Sequence, residues 1–508
     1  GVAHPHLSAR FAVRWYDAIK KARVDVTIEN NWAYEPAPQN ITYDAQVLVG
    51  GTAVYTKSAM THYHHARWRK VFWWNAAAPE VNVKHNTGYL IASRALPNYD
   101  QSLSIPEGVL KDMKATWSGP NTQPMGVGAA TAYMPQTGGR GDIGLLPQWA
   151  ATYLLSMDSR ARDVTLGTAD LAGSWSSHYR DKKTGQPVSL IDYPYMTLVG
   201  QAGDTYNPAT KQREAFPGCA STTGCKTPLT HDVSHQPAFA YLPYLLTGDH
   251  YYLEELQFWG MYNVFNSNPG YRENIKGLLK PEQVRGQAWA LRTLSEAAYI
   301  TPDNDRLKSH FTRILQSNLD WYNQNYTDNA QANKLGVLVN GYALGYANKT
   351  GIAPWMDDFF TSAVGHAHDL GFTEATRLLA WKAKFPVDRM VASGTCWIDA
   401  SIYSMIIRDS ESSPFYSSMA EAYRASHTAD FNRLECGSSA MASALKLKVG
   451  EMTGYSGAYA GYPSNMQPAL AYSVSVTGAA GEQAWQQFMK RSVKPNYATG
   501  PQFAIVPR

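Results

Sequence analysis

The chain has 508 residues, of which 44% are hydrophobic and 17% charged, too long for one ordinary core and too apolar to be disordered. It contains no run of about 18 apolar residues that could span a bilayer. A balance of 45 Lys+Arg against 41 Asp+Glu, net +4, without a Lys/Arg-rich block, argues against nucleic acid as a partner.

Residues 1–100 read as an antiparallel, β-sandwich-like domain. Arg23 to Glu29, Ile41 to Leu48, Thr52 to Thr56 and Lys70 to Trp74 are short runs rich in Val, Ile, Thr, Tyr and Trp, separated by turn residues at Asn30-Asn31 and Gly50-Gly51. Strands are expected to continue through Val81 to Val83 and Tyr89 to Ser93. His62, His64, His65, Arg67, Trp68, Arg69 and Lys70 form a basic-aromatic patch. It suits either an inter-domain interface or, through His64 and Arg67, the rim of a cleft that receives an anionic chain.

Residues 101–139 are rich in Gly, Pro, Ser and Thr and read as an inter-domain segment. At its end, Gly138-Gly139-Arg140-Gly141-Asp142-Ile143-Gly144 gives a loop whose backbone can approach a ligand closely, with Arg140 and Asp142 as candidate substrate-binding residues. A domain-junction turn is the alternative.

From residue 140 to 508 the period changes to about 3.6 residues. Helices are expected over Leu145 to Met157, Ala238 to Leu246, Tyr251 to Phe265, Gln283 to Ile300, Asp305 to Asn323, Pro354 to Leu370, Glu374 to Phe385, Ser418 to His427 and Ser438 to Val449. Thr247-Gly248-Asp249 and Thr301-Pro302-Asp303 mark similar helix-to-helix junctions one helical hairpin apart. Six or seven such hairpins would fill the region as an (α/α)6 or (α/α)7 toroid. The fold class expected is therefore α+β multidomain, an N-terminal antiparallel β-domain followed by a toroid of helical hairpins.

Cys219 and Cys225 flank a Gly/Ser/Thr loop at a spacing that can close a small disulfide, which favours an exported (secreted or periplasmic) protein. Just beyond lies His231-Asp232-Val233-Ser234-His235. It can be a helix cap, a catalytic mouth in which His235 or Asp232 moves a proton, or, from the i,i+4 histidines, a metal site. The Glu of His-Glu-x-x-His is missing, and no metal or cofactor is expected. Arg285 near a helix start opposes the helix dipole and calls for an anion, either a substrate carboxylate or Glu282. Gln287, Trp289, Asn340 and Trp397 are candidate binding residues, and Tyr342 a candidate acid or base. Tyr346, Asp399, Glu435 and Tyr462 are lesser candidates. With 32 Tyr, 15 Trp and 15 Phe, rings that stack on sugars are plentiful.

Arg285-Gly286-Gln287-Ala288-Trp289 resembles a segment of unsaturated glucuronyl hydrolases, six-hairpin (α/α) enzymes acting on uronic acids. That resemblance, over about 70 residues, implies that Arg285 and Trp289 line a substrate pocket. It also gives Asp232, upstream of Thr247-Gly248-Asp249, the acid/base role. A β-domain before a toroid is similar to the layout of several polysaccharide lyases, exo-acting rhamnogalacturonan lyases among them, and of several inverting glycosidases. The expectation is an enzyme cleaving an acidic, uronate-containing polysaccharide or oligosaccharide by β-elimination. An inverting or unsaturated glucuronyl hydrolase and a non-catalytic carbohydrate-binding surface protein are the alternatives.

Overall fold

A computed structural model describes residues 3–75, 77–79, 81–136, 139–199 and 202–508. The chain is mixed α+β, with small antiparallel sheets first and helices after. Strands β1 (Leu7–Tyr16), β2 (Lys21–Asn30) and β5 (Ala66–Trp74) form one sheet in the order β1-β2-β5. Strands β3 (Ile41–Val49) and β4 (Thr52–His62) form a hairpin that meets this sheet through Ala45, Met60 and Trp68.

The N-terminal strands end at Trp74, and the later ones are two-residue pairs, Tyr206–Asn207 with Gln212–Arg213 and Gly351–Ile352 with Met405–Ile406. Residues 81–83 belong to no strand, and Tyr89 falls within helix α1 (Thr87–Ala92), where a strand was expected. Asn86 caps α1 by accepting from the Tyr89 N–H at 2.9 Å, and Ile91 is buried in the main core, so tertiary packing overrides the β propensity of the segment. The expected inter-domain segment holds helix α2 (Glu107–Thr116), whose Leu110 joins that core.

Eight helices follow the sequence pattern closely: α3 (Gln148–Ser156), α5 (Tyr241–Thr247), α6 (His250–Phe265), α7 (Val284–Ile300), α8 (Arg306–Tyr322), α9 (Pro354–Asp369), α10 (Thr373–Lys382) and α12 (Met419–Ala425). Helix α13 (Ser439–Ala444) is shorter than expected; α4 (Ser159–Leu171), α11 (Lys384–Val391), α14 (Tyr462–Thr477) and α15 (Ala479–Met489) complete the set. The two similar junctions are the turns between α5 and α6 and between α7 and α8. At each an Asp, 249 or 305, caps the second helix.

Two kinds of helix result. Helices α7 and α9 are buried almost throughout; α7 packs on α9, and α9 on α14. Helix α8 buries one stripe, Leu307, Phe311, Ile314, Leu315 and Leu319, and covers α7, just as α4 covers α3, α10 covers α9 and α15 covers α14, whereas α6 beside α5 is itself buried on nearly all sides. An amphipathic stripe belongs to a covering helix and an all-round apolar surface to a central one.

Charge fixes the strands to the helices. Arg67 of β5 is fully buried, and its guanidinium meets Glu29 (3.2 Å), Glu254 (2.8 Å) and Glu255 (2.6 Å) while donating to the Tyr251 carbonyl (3.0 Å). Arg180 completes the network on Glu29 and Glu254, both at 2.7 Å, and His178 on Glu255 at 2.8 Å. Arg69 and Arg23 both reach Asp249. The basic-aromatic patch is thus an interface, with every Arg67 nitrogen already engaged by the protein, so it is not a rim for substrate.

Two disulfides are present, Cys219–Cys225 and Cys396–Cys436.

Candidate functional site

Arg285 is the second residue of α7, 5% exposed. Its guanidinium lies 5.1 Å from the centre of the Trp355 ring. Glu282, the expected internal partner, is not bonded to it, and its Nε is buried without an acceptor. Every other buried arginine among the described residues has an acid or a carbonyl: Arg67, Arg69, Arg180 and Arg389 pair with carboxylates, while Arg272, Arg292, Arg408 and Arg491 donate to main-chain oxygens. Among the described arginines Arg285 alone is buried with no hydrogen bond or ion pair. Burial, reinforced by the charge of Arg140 and opposed by Asp232, pushes it down to about 10, so it remains a cation at neutral pH.

That cation forms part of the wall of a cavity of about 410 Å³. The Trp355 ring stacks with those of Tyr462 (5.9 Å, 20°) and Tyr403 (6.5 Å, 26°), and Tyr346 meets Tyr403 edge-on at 5.7 Å. Tyr455, Asn465, Gln283 and Arg140 also line it. Asn465, at 6% exposure, has an amide with no protein hydrogen bond among the described residues. Burial and the neighbouring Tyr403 push Tyr346 up to about 12. Burial likewise raises Tyr462. These phenols hold their protons at neutral pH and can only donate them.

Behind the cavity, Asp232 is extended (φ −156°, ψ 134°) and caps the short turn Val233–His235, accepting from the Ser234 N–H at 3.2 Å. Its other oxygen takes a short hydrogen bond from His235 Nδ1. An ionised carboxylate only accepts, so Nδ1 carries the proton and Nε2 the lone pair. That Nε2 is buried and has no partner. Burial lowers His235, Asp232 opposes, and Arg285 and Arg140 add to the lowering, leaving a neutral ring. Burial disfavours the Asp232 charge, yet the bonds from His235 and Ser234 and the nearby Arg285 hold it below the usual carboxylate range. Glu282 is the opposite case: burial and the Asp232 charge push it up to about 7.

The remaining sequence candidates fall into two groups. Arg140 lines the cavity and bridges to the dyad, donating to the carbonyls of Met134 (3.1 Å), Gln136 (3.0 Å) and His235 (3.5 Å), with Asp142 3.4 Å from its Nε. Asp142 also accepts from the Thr131 N–H at 2.9 Å; Gly138 lies outside the described residues. The others have structural partners or stand outside the cavity. His231 bonds the Tyr262 hydroxyl at 2.8 Å instead of facing His235, because the extended Asp232 breaks the turn. Gln287 and Asn340 bond one another at 2.9 Å and are otherwise taken up by Tyr322, Tyr326 and the carbonyls of Glu282 and Lys280. Trp289 is core, 4.7 Å from Phe359, rather than a pocket wall. Trp397 packs beside Met452 and Met466. Asp399 is bonded by His427 and Thr453. Glu435 is exposed, and Tyr342, 72% exposed, stands outside the cavity. His64 sits with Cys219 and Cys225.

Sequence reasoning passed over Trp355, Tyr403, Tyr455 and Asn465, and named Glu282 only as an ion-pair partner for Arg285. Two signals were there: Pro354 opening a helix with Trp355 in its first turn, and the Gly/Tyr alternation from Gly454 to Tyr462 ahead of α14. Compared with protein-family models, curated proteins and solved structures, the chain finds no match.

Proposed function

We propose that this protein is a carbohydrate-active enzyme that takes a uronate-containing saccharide and cleaves it by β-elimination. The observation that carries the reading is Arg285, a buried and unpaired cation in an aromatic wall. Its open valences match a carboxylate, and the Trp and Tyr faces match a sugar ring. The central and covering helices support a toroid of helical hairpins, with the cavity at the mouths of α7, α9 and α14. The disulfides favour an exported protein.

In this reading Arg285 neutralises the substrate carboxylate, which acidifies the hydrogen on the adjacent carbon. His235 Nε2 removes that proton, with Asp232 holding the ring in the productive tautomer. The freed electron pair forms the carbon–carbon double bond, the bond to the neighbouring glycosidic oxygen breaks, and Tyr346 gives that oxygen a proton. His235 does not itself line the cavity, so the reading requires Arg140, which bridges the two, to move aside when substrate binds.

Glu282 at about 7 beside an ionised Asp232 favours a second reading, acid/base hydrolysis of the same acidic sugar. Incubation with uronate polysaccharides, following unsaturated-uronate absorbance alongside reducing ends, separates the two. Both signals rising together support elimination, and reducing ends alone support hydrolysis. Neither product with any uronate polymer overturns the enzymatic reading.

A further inference from the structure

The turn between β4 and β5 meets a distant loop at a seam with unused chemistry. Ligand atoms of His64, Cys219 and Cys225 lie within 4.8 Å of one another. The Cys loop is fastened to the strand region by its main chain: Ala220 N–H donates to the Pro38 carbonyl (3.0 Å) and Asn40 N–H to that of Gly224 (2.7 Å). The Asn40 amide donates to the Lys226 carbonyl at 2.6 Å. Asn40 also orients His64, its Oδ1 accepting from the His64 N–H (2.9 Å) and lying 3.3 Å from Nδ1. With Nδ1 so held, and Ser176 Oγ at 3.4 Å on the same atom, Nε2 has no protein hydrogen bond among the described residues. An imidazole with one nitrogen fixed by a side-chain acceptor and the other free is the usual arrangement of a metal-ligating histidine.

We propose that reduction of Cys219–Cys225 converts this seam into a site for a thiophilic cation, zinc(II) for instance, held by two thiolates and the His64 imidazole. The exchange balances with a thiol reductant. Two reductant thiols become a disulfide, Cys219 and Cys225 become thiols, and the incoming divalent cation displaces their two protons. Tetrahedral zinc with bonds of about 2.3 Å to sulfur and about 2.0 Å to nitrogen places its ligand atoms roughly 3.5–3.8 Å apart. The sulfurs must separate and the imidazole approach, movements of about 1–2 Å that an exposed Gly/Ser/Thr loop can absorb. Two sulfur ligands select zinc or copper(I) over magnesium or calcium. Reduction thus exchanges a covalent bond within the loop for a metal bridge across the seam.

The test titrates cobalt(II) anaerobically into the full chain, oxidised and after thiol reduction, reading thiolate-to-cobalt charge transfer. Reduced protein should bind one equivalent, displaceable by zinc, and oxidised protein none. His64→Ala should weaken binding at least tenfold, Asn40→Ala by about tenfold, and Cys219→Ser should abolish the band. Cys396 and Cys436 remain in Cys219→Ser, so a band that survives this change, or reduced wild-type protein that binds no cobalt, overturns the proposal. The comparison of the two wild-type redox forms needs no variant to fold.

Discussion

Replacing Arg285 by methionine should make the protein slightly more stable while removing its affinity for uronate. The fall from the ordinary arginine range to about 10 amounts to about 3 kcal/mol against the charged form, at about 1.4 kcal/mol per pH unit. Methionine loses the stacking on Trp355, worth about 1–2 kcal/mol, so the net gain is about 1–2 kcal/mol. For 508 residues the unfolding entropy is about 1 kcal/mol per kelvin, and Tm should rise by about 1–2 °C. Truncating one side of a desolvated, hydrogen-bonded charge pair costs about 2–5 kcal/mol, so oligouronate binding should weaken about 30-fold to several thousand-fold. Differential scanning calorimetry and titration calorimetry on the same samples measure both effects. A structural arginine behaves in the opposite way. If Arg285→Met lowers Tm by several degrees and leaves uronate binding unchanged, the argument from its missing partner is wrong.

His235→Gln should lower kcat about 10²–10⁴-fold, and wild-type activity should fall on the acid side, at a pH lower than that of an ordinary histidine, where the ring lowered by burial finally protonates; a profile without that limb removes His235 as base. Arg67→Ala removes the cation shared by Glu29, Glu254 and Glu255 in a buried interface, leaving the first two to Arg180 and the third to His178, and should cost about 3–5 kcal/mol, read as a lowered thermal midpoint in calorimetry. A change near zero would mean that the strand domain does not depend on this network. His427 is raised: burial works against its charge, but the hydrogen bonds to Asp399 and to the Tyr423 carbonyl outweigh it. Its stabilisation is therefore full below the unfolded value near 6.5 and is lost as pH rises through the higher folded value. Hydrogen exchange around residues 423–453 should quicken from pH 6 to pH 8 beyond the intrinsic rate, and His427→Gln should remove the excess.

A segment with one buried side shows its period in the sequence, whereas one buried nearly all round, as α6, α7 and α9 are, has to be read from its length and its ends. Helix α8 shows its apolar stripe at helical spacing because its other side faces water. Helix α14 is buried nearly all round and carries Pro468 in its interior, so no period betrays it, and it went unread. Strand β1 is the mirror case, an edge strand exposed on both faces and without the buried side that fixes alternation. The strand expected at Tyr89 to Ser93 became α1 because a capping Asn86 and burial of Ile91 outweigh β propensity.

The site divides along the same line. Arg285 was legible because a cation at a helix start is an electrostatic anomaly visible in one dimension. The aromatic wall was not, since Tyr346, Trp355, Tyr403, Tyr455 and Tyr462 come from separate segments and are ordinary residues until the fold stacks them. Nor does the sequence say whether a polar residue keeps its valences free. Gln287 and Asn340 looked as suited to a ligand as Arg285, yet each satisfies the other. What distinguishes a binding group from a structural one is an unmet hydrogen-bonding capacity in a dry place, where it costs most. Among the described residues the chain pairs its other buried arginines with carboxylates or carbonyls, so the one left without either in the aromatic wall is the place proposed for an acidic ligand.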